Sequence, residues 1–294
     1  MRVQDTDCRP IFATAMANYT HDRIVPFKDS ELGKKQQIAE MFDKIAFRYD
    51  FLNRFLSGGS DIYWRRQAIR ELRRPGAATM GARAATGGAA VMGARAADSD
   101  PGGQQALLDV ATGTGDMAIM MARRIPQSQI TGVDISSGML QIGRQKVARL
   151  RLENRIALQP GDSEALPFTD RLFDAITVAF GVRNFENLEK GLREMGRVLK
   201  PGGKLVVLEF SQPRTPGICQ LYRLYLRLVA PRIGRMVSSN REAYQYLNDS
   251  VRAFPEGEQF IRILDSCGYI HTRIRRLSLG ICSLYIGEKA PDSN

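Results

Sequence analysis

Residues 106–125 read ALLDVATGTGDMAIMMARRI: a short apolar run, a bend that holds Gly113 and Gly115, and then a helical pattern. Gly113, Gly115 and Ala118 fit G-x-G-x-x-G/A, and the position between a strand and a helix is what gives this otherwise weak pattern meaning. Downstream, strand and helix keep alternating. QITGVDIS (129–136) reads as a second strand with GMLQIGRQKVARL (138–150) as its helix. RIALQPGD (155–162), FDAITVAFG (173–181) and GKLVVLEF (203–210) are three more strands, with the helix LEKGLREMGRVLK (188–200) before the last. Such alternation predicts an α/β fold in which helices cover both faces of a mostly parallel sheet and ligands bind at the strand ends. Two closing runs, HTRIRRLSL (271–279) and ICSLYIGEK (281–289), are expected to pair antiparallel at the sheet edge.

Upstream, KKQQIAEMFDKIAFRYDFLNRFL (34–56) places Ile38, Met41, Phe42 and Ile45 on one helical stripe, and Gly58 with Gly59 breaks it before a second helix. Residues 1–33 have no sustained period and are expected to form a loosely ordered arm. Residues 34–294 are expected to form one domain: a helical cap (34–74), an insertion (75–105), a cofactor-binding core (106–211) and substrate- or membrane-facing helices with the last strands (212–294). The insertion repeats MGARAA and lacks bulky residues, so it is expected to be flexible.

The chain has 294 residues with 42 basic and 31 acidic side chains, a formal charge of +11 that suits an anionic partner. The four cysteines are scattered, without a CxxC pair or nearby histidines, which argues against a disulfide framework and a zinc site. A cytoplasmic location is expected, with room for peripheral contact at the inner face of the cytoplasmic membrane. The positive charge is dispersed and no groove-binding motif occurs, so nucleic acid is not expected as a partner.

The chemistry of the glycine bend discriminates between cofactors. Asp134 ends the second strand about 20 residues on, where a carboxylate accepts hydrogen bonds from ribose hydroxyls; its other reading is the N-cap of the following helix. Asp109 and Asp116 flank the glycines and would repel a pyrophosphate, but suit a donor with a sulfonium and an ammonium. The bend therefore leans toward S-adenosylmethionine, with a nicotinamide-dependent oxidoreductase as the alternative. Asp162 and Ser163, in PGDSEALPF (160–168), end the third strand where an adenine edge can be read; Asp162 also reads as an ordinary turn residue.

With LLDVATGTGD, GVDISSGML, GDSEALPF, FDAITVAFGVRNF and VLKPGGKLVVLEFSQP in that order, the chain resembles the ubiquinone/menaquinone biosynthesis C-methyltransferases. MFDKIAFRYDFLNRFLSGGSDIYWRR and YQYLNDSVRAFP extend the likeness, which covers roughly residues 36–74 and 106–288. It implies a Rossmann-like class I methyltransferase with a seven-stranded sheet and an N-terminal helical cap, and S-adenosyl-L-methionine as cofactor. By position, Thr114 matches the cofactor-loop threonine, Asp134 the ribose-binding acid, and Asp162 with Ser163 the adenine-side pair; Asp109, Gly113 and Gly115 complete the cofactor set. Ala179 stands where some members have serine and is left out of the site.

The resemblance also implies methylation of a ring carbon of a polyprenylated quinol. FPEGE (254–258) and the general spacing favour demethylmenaquinol over the ubiquinone-pathway benzoquinol. A sulfonium needs no acid to leave, so the protein must supply placement and a nucleophilic carbon. Ionising a phenol of pKa about 10 at pH 7 costs roughly 4 kcal/mol, which a fixed positive charge lowers. Arg183 and Asn184, beyond the fourth strand, are expected to hold the quinol oxygen, though Arg183 could instead serve the loop by pairing with Glu186 or Asp174. Tyr49 and Asp50 are expected to close over the site from the cap, against plain packing and helix solvation. Neither His21 nor His271 makes a convincing base. ICQLYRLYLRLVAPRIGRM (218–236) mixes Leu221, Leu224, Leu228 and Ile233 with Arg223, Arg227, Arg232 and Arg235, as in a helix lying on an anionic membrane, or a lid with a basic edge. The sequence leaves room for a homodimer.

Overall fold

The computed structural model describes residues 19–72, 104–213, 217, 220 and 241–292. The 75–103 part of the insertion, the 218–236 stretch apart from Gln220, and residues 1–18 of the arm lie outside the described residues.

Seven strands form one sheet in the order β3-β2-β1-β4-β5-β7-β6. β1 (Gln105–Val110), β2 (Ser128–Asp134), β3 (Ile156–Pro160), β4 (Phe173–Ala179) and β5 (Leu199–Phe210) are parallel. β7 (Cys282–Lys289) runs antiparallel between β5 and β6 (Tyr269–Leu277), so the expected closing pair sits at the edge. Leu107, Ala175 and Val206 belong to one core layer, while their neighbours Leu108, Ile176 and Val207 belong to the other. That two-residue alternation buries both faces of the sheet. The first layer packs on α2 (Ser60–Leu72), α3 (Asp116–Arg124) and α4 (Ser137–Arg149); the second on α5 (Leu188–Val198) and α7 (Glu258–Ser266). α6 (Arg241–Ala253) precedes α7.

Helix starts follow local chemistry. Ser136 Oγ accepts from Met139 N at the head of α4, and Asn187 Oδ1 accepts from Lys190 N at the head of α5. α1 (Lys34–Leu56) ends at Gly58 and Gly59, both with positive φ, before α2 begins.

The expectation of a loose arm fails for residues 19–33. A 3-10 turn, Thr20–Arg23, packs on the body: Tyr19 Oη donates to Glu189 at 2.7 Å, and Lys34 Nζ donates to His21 O and Phe185 O. His21 is fully buried against Phe254, and burial, then the nearby Lys34 charge, pushes its pKa down to about 3. The unfolded imidazole binds a proton below pH 6.5 that the folded one refuses, so stability is full above that pH and falls as pH drops from 6.5 toward 3. Urea midpoints should record a loss of about 2 kcal/mol between about pH 7 and pH 5, and His21→Phe should flatten that slope.

Candidate active site

The chain leaves β1 for β2 and β3 on one side, then returns to β4 on the other, which puts the topological switch between β1 and β4. Val110 lies level with Val133 and Val178 in the ladders, so the loops after β1, β2 and β4 emerge together. A cavity of about 660 Å³, counting its open mouth, occupies this place. Its wall takes Gly113 from the β1 loop, Asp134 from β2, Asp162 and Ser163 from the β3 loop, and Phe180, Gly181 and Asn184 from the β4 loop. α1 roofs it with Lys35, Ile38, Phe42 and Tyr49. Ala179, set aside on sequence grounds, also lines it, because the end of β4 opens into the crevice.

The backbone is held tightly here. Ala111 and Phe180, directly after β1 and β4, adopt φ of 53° and 61°, a region non-glycine residues seldom enter except where surroundings impose it. Gly115 has φ 77° as it turns into α3. At Gly181 a Cβ would meet the Ala111 Cβ at 2.5 Å, so the two strained loops touch.

Asp134 organises the bend. Its Oδ2 accepts from Gly113 N at 2.7 Å and its Oδ1 from Ser136 N at 2.9 Å. Burial raises its pKa against those amides, and Ser136 rather than Asp134 is the side-chain cap of α4. Asp109 does something different from what its position suggested. It is fully buried under the loop, accepts from Thr112 Oγ1 at 2.6 Å and Thr177 Oγ1 at 2.7 Å, and is pushed up to about 6 by burial. It braces the bend from behind and does not line the cavity. Asp116 is likewise no free charge: Lys146 and Arg54 pair with it.

α1 is tied down by three polar clasps two turns apart. Lys35 Nζ reaches Asp162 Oδ2 at 2.7 Å and Glu164 Oε2 at 2.9 Å. Asp43 Oδ1 accepts from Ser136 Oγ and from Gly138 N, capping α4 from another helix. Asp50 accepts from Thr114 Oγ1 at 2.5 Å and from Lys146 Nζ at 2.8 Å. Asp50 and Thr114 are thus brought together as a clasp beside the cavity, and Asp50 is not among the described residues of its wall.

At the β4 end, Arg183 is 5% exposed and Glu209, at the end of β5, is 1% exposed. Arg183 Nη1 binds Glu209 Oε1 at 2.6 Å and Phe180 O at 2.8 Å. The partners read from sequence, Glu186 and Asp174, are not the ones used. Asn184 is on the cavity wall, and its Oδ1 accepts from Tyr246 Oη at 3.0 Å, which leaves its Nδ2 hydrogens for another acceptor. Tyr49 is held high by burial, opposed by its Asn53 hydrogen bond and by the charges of Arg183 and Arg65.

The structure therefore assembles Gly113, Asp134, Asp162, Ser163, Asn184 and Tyr49 around one cavity. Thr114, Gly115, Asp109, Asp50 and Arg183 stand behind that wall. Sequence reasoning missed Glu209, Tyr246 and Lys35. Tyr246 lay inside YQYLNDSVRAFP, a stretch already singled out, and Glu209 ends a strand whose mouth faces the crevice; both signals were present but not tied to a role.

Among the described residues the wall carries four carboxylates, Asp134, Asp162, Glu164 and Glu186, against the single ammonium of Lys35. A pyrophosphate would meet repulsion there. A ligand with a sulfonium and an ammonium would be drawn in.

The model of the ubiE/COQ5 methyltransferase family matches residues 30–289. The demethylmenaquinone methyltransferase of Bacteroides fragilis is 41% identical over 273 residues, covering 92% of this chain and 100% of its own. The ubiquinone/menaquinone biosynthesis C-methyltransferase UbiE of Geotalea daltonii is 44% identical over 264 residues, 90% of this chain and 100% of its own. A solved S-adenosylmethionine-dependent methyltransferase of Thermotoga maritima, titled a possible histamine N-methyltransferase, superposes with a TM-score of 0.55 at 16% identity, over 86% of this chain and 99% of that one. That likeness bears on the fold alone.

Proposed function

The chain belongs to the ubiE/COQ5 methyltransferase family, and from that premise we propose that its cavity seats the donor at the ends of β1, β2 and β3 and the acceptor ring toward β4. The enzyme is an S-adenosylmethionine-dependent methyltransferase that methylates a ring carbon of a polyprenylated quinol, demethylmenaquinol to menaquinol, in menaquinone biosynthesis. The observation that carries the residue assignment is the acid-rich wall, which suits a donor bearing a sulfonium and an ammonium and not a pyrophosphate.

Asp134 has lone pairs left after Gly113 N and Ser136 N for two ribose hydroxyls, so the residues present fit the cofactor. Asp162 and Ser163 face the adenine, and Gly113 lets the backbone approach. S-adenosylmethionine supplies, when bound, an electrophilic methyl group with a neutral thioether as its leaving group, and the ring carbon that takes the methyl gives up its hydrogen as a proton to solvent. Asn184 Nδ2 donates to the acceptor oxygen, oriented by Tyr246. The buried Arg183 donates to Phe180 O and so fixes the β4 loop that carries Asn184, whose amide hydrogen bond lowers the cost of the quinolate and raises electron density on the ring carbon. Glu209 holds Arg183 in place. Tyr49 closes the wall from the roof and keeps water from the methyl.

Tyr246→Phe frees the Asn184 amide to rotate. Expected is a fall in kcat of about tenfold, the size of one neutral hydrogen bond, with S-adenosylhomocysteine affinity unchanged; equal kcat would remove Tyr246 from the site. The function itself is tested by offering purified protein and S-adenosylmethionine a short-prenyl demethylmenaquinol beside the corresponding methoxybenzoquinol. Methylation of the naphthoquinol is expected to dominate. Preference for the benzoquinol would move the enzyme to the ubiquinone pathway.

Further parts of the proposal are contact of the 218–236 segment with an anionic membrane surface, where the prenyl tail resides, and assembly as a homodimer. Its basic and leucine-rich composition supports the former. Among the described residues no helix is long and apolar enough to cross a membrane.

A further inference from the structure

The roof helix has a second side. Lys44, Phe47, Phe51 and Arg54 follow each other at helical spacing on α1, two phenyl rings between two cations. Phe47 is 88% exposed and Phe51 59%. The acids of α1 do not balance this stripe: Asp43 and Asp50 are engaged with α4 and the β1 loop, and Glu40 remains, 3.8 Å from Lys44.

Arg54 also belongs to a hollow between the end of α1, α2 and α3, walled by Arg54, Arg66, Arg123 and Arg124 with Ile62 and Met120. All four arginines are exposed, and among the described residues no carboxylate is on that wall. Asp116 meets Arg54 from beside it and is itself held by Lys146. With Asp116 set against Arg54, Arg66 and Arg123 still leave this depression positively charged, which draws in a phosphodiester. Exposed phenyl rings next to it suit insertion between acyl chains.

We propose that this continuous face, the Phe47 and Phe51 stripe with the arginine hollow, docks the protein on an anionic lipid bilayer. The inference rests on the prenylated acceptor of the proposed reaction, whose tail lies in lipid. It places the membrane against the outer side of the helix whose inner side roofs the cavity, so the acceptor has a short path from bilayer to site.

The test uses the full chain and vesicles of phosphatidylcholine, with or without roughly one third phosphatidylglycerol. Phe47→Trp adds an indole at the stripe, and Trp64, 2% exposed, is shielded from contact quenching. Brominated phosphatidylglycerol vesicles are expected to quench the added indole. Arg66→Glu with Arg123→Glu is expected to lower the partition coefficient onto anionic vesicles by at least about tenfold, since each cation near such a surface contributes severalfold. Phe47→Ser with Phe51→Ser should lower turnover of vesicle-embedded acceptor while leaving turnover of a water-soluble short-chain acceptor unchanged. The proposal is overturned if the indole is not quenched and both pairs bind vesicles as the wild type does. It is also overturned if inorganic phosphate, without vesicles, is the only ligand of the hollow, or if the stripe instead joins two copies, seen as a doubled mass that Phe47→Ser halves. Failure of the wild type to methylate the soluble acceptor would refute the reaction and not the docking face, which the quenching reads separately.

Discussion

Asp134→Ala is expected to weaken S-adenosylhomocysteine binding by roughly a hundred- to ten-thousandfold. The carboxylate is buried and negatively charged, and hydrogen bonds to a charged acceptor contribute about 1.5–3 kcal/mol each, with two ribose hydroxyls at stake. The loss is compounded locally, because Gly113 N and Ser136 N both donate to this side chain, so the bend that the ligand must cross loses its anchor. Asp134→Asn keeps one acceptor oxygen and should fall between the two. Titration calorimetry on folded variants reads the effect. Unchanged affinity in Asp134→Ala would mean that the sugar is held elsewhere.

Glu209→Ala is expected to lower the unfolding free energy by about 3–5 kcal/mol, because it strands the Arg183 guanidinium in a site with almost no water. Turnover should fall with it, since Arg183 would no longer be fixed at the mouth of β4. Glu209→Gln separates the two effects: it retains an acceptor for Arg183 Nη1 and should recover more of the stability than of the turnover. Chemical denaturation and a kcat measurement on the same preparations give both numbers. A Glu209→Ala protein as stable as the wild type would show that the pair is not what holds this corner.

Much of the fold was legible because its signals are local. The bend at Gly113 and Gly115 and the strand-helix alternation give the parallel sheet, and Gly58 with Gly59 separates the two roof helices. The places of Asp134, Asp162, Ser163 and Asn184 were readable for the same reason, since Asp134 ends a strand and the others lie in loops that follow strands opening on the crevice. What the sequence hid depends on pairings across the sheet or between layers. Glu209 meets Arg183 only because β5 lies beside β4, and Tyr246 meets Asn184 only because α6 folds back over the β4 loop. The inward turn of Asp109 toward Thr177 required knowing that β1 and β4 are neighbours. His21 and Tyr19 looked like part of a loose arm because their burial comes from distant residues, Phe254 and Glu189.

The central claim is that the acid-walled cavity delivers a methyl group to a quinol carbon. Purified protein given S-adenosylmethionine with a trideuterated methyl and a short-prenyl demethylmenaquinol should yield a product carrying all three deuterons on a methyl bonded to the ring carbon, located by proton and carbon magnetic resonance. Label found on a quinol oxygen, or no transfer by a protein that binds S-adenosylhomocysteine, would contradict it.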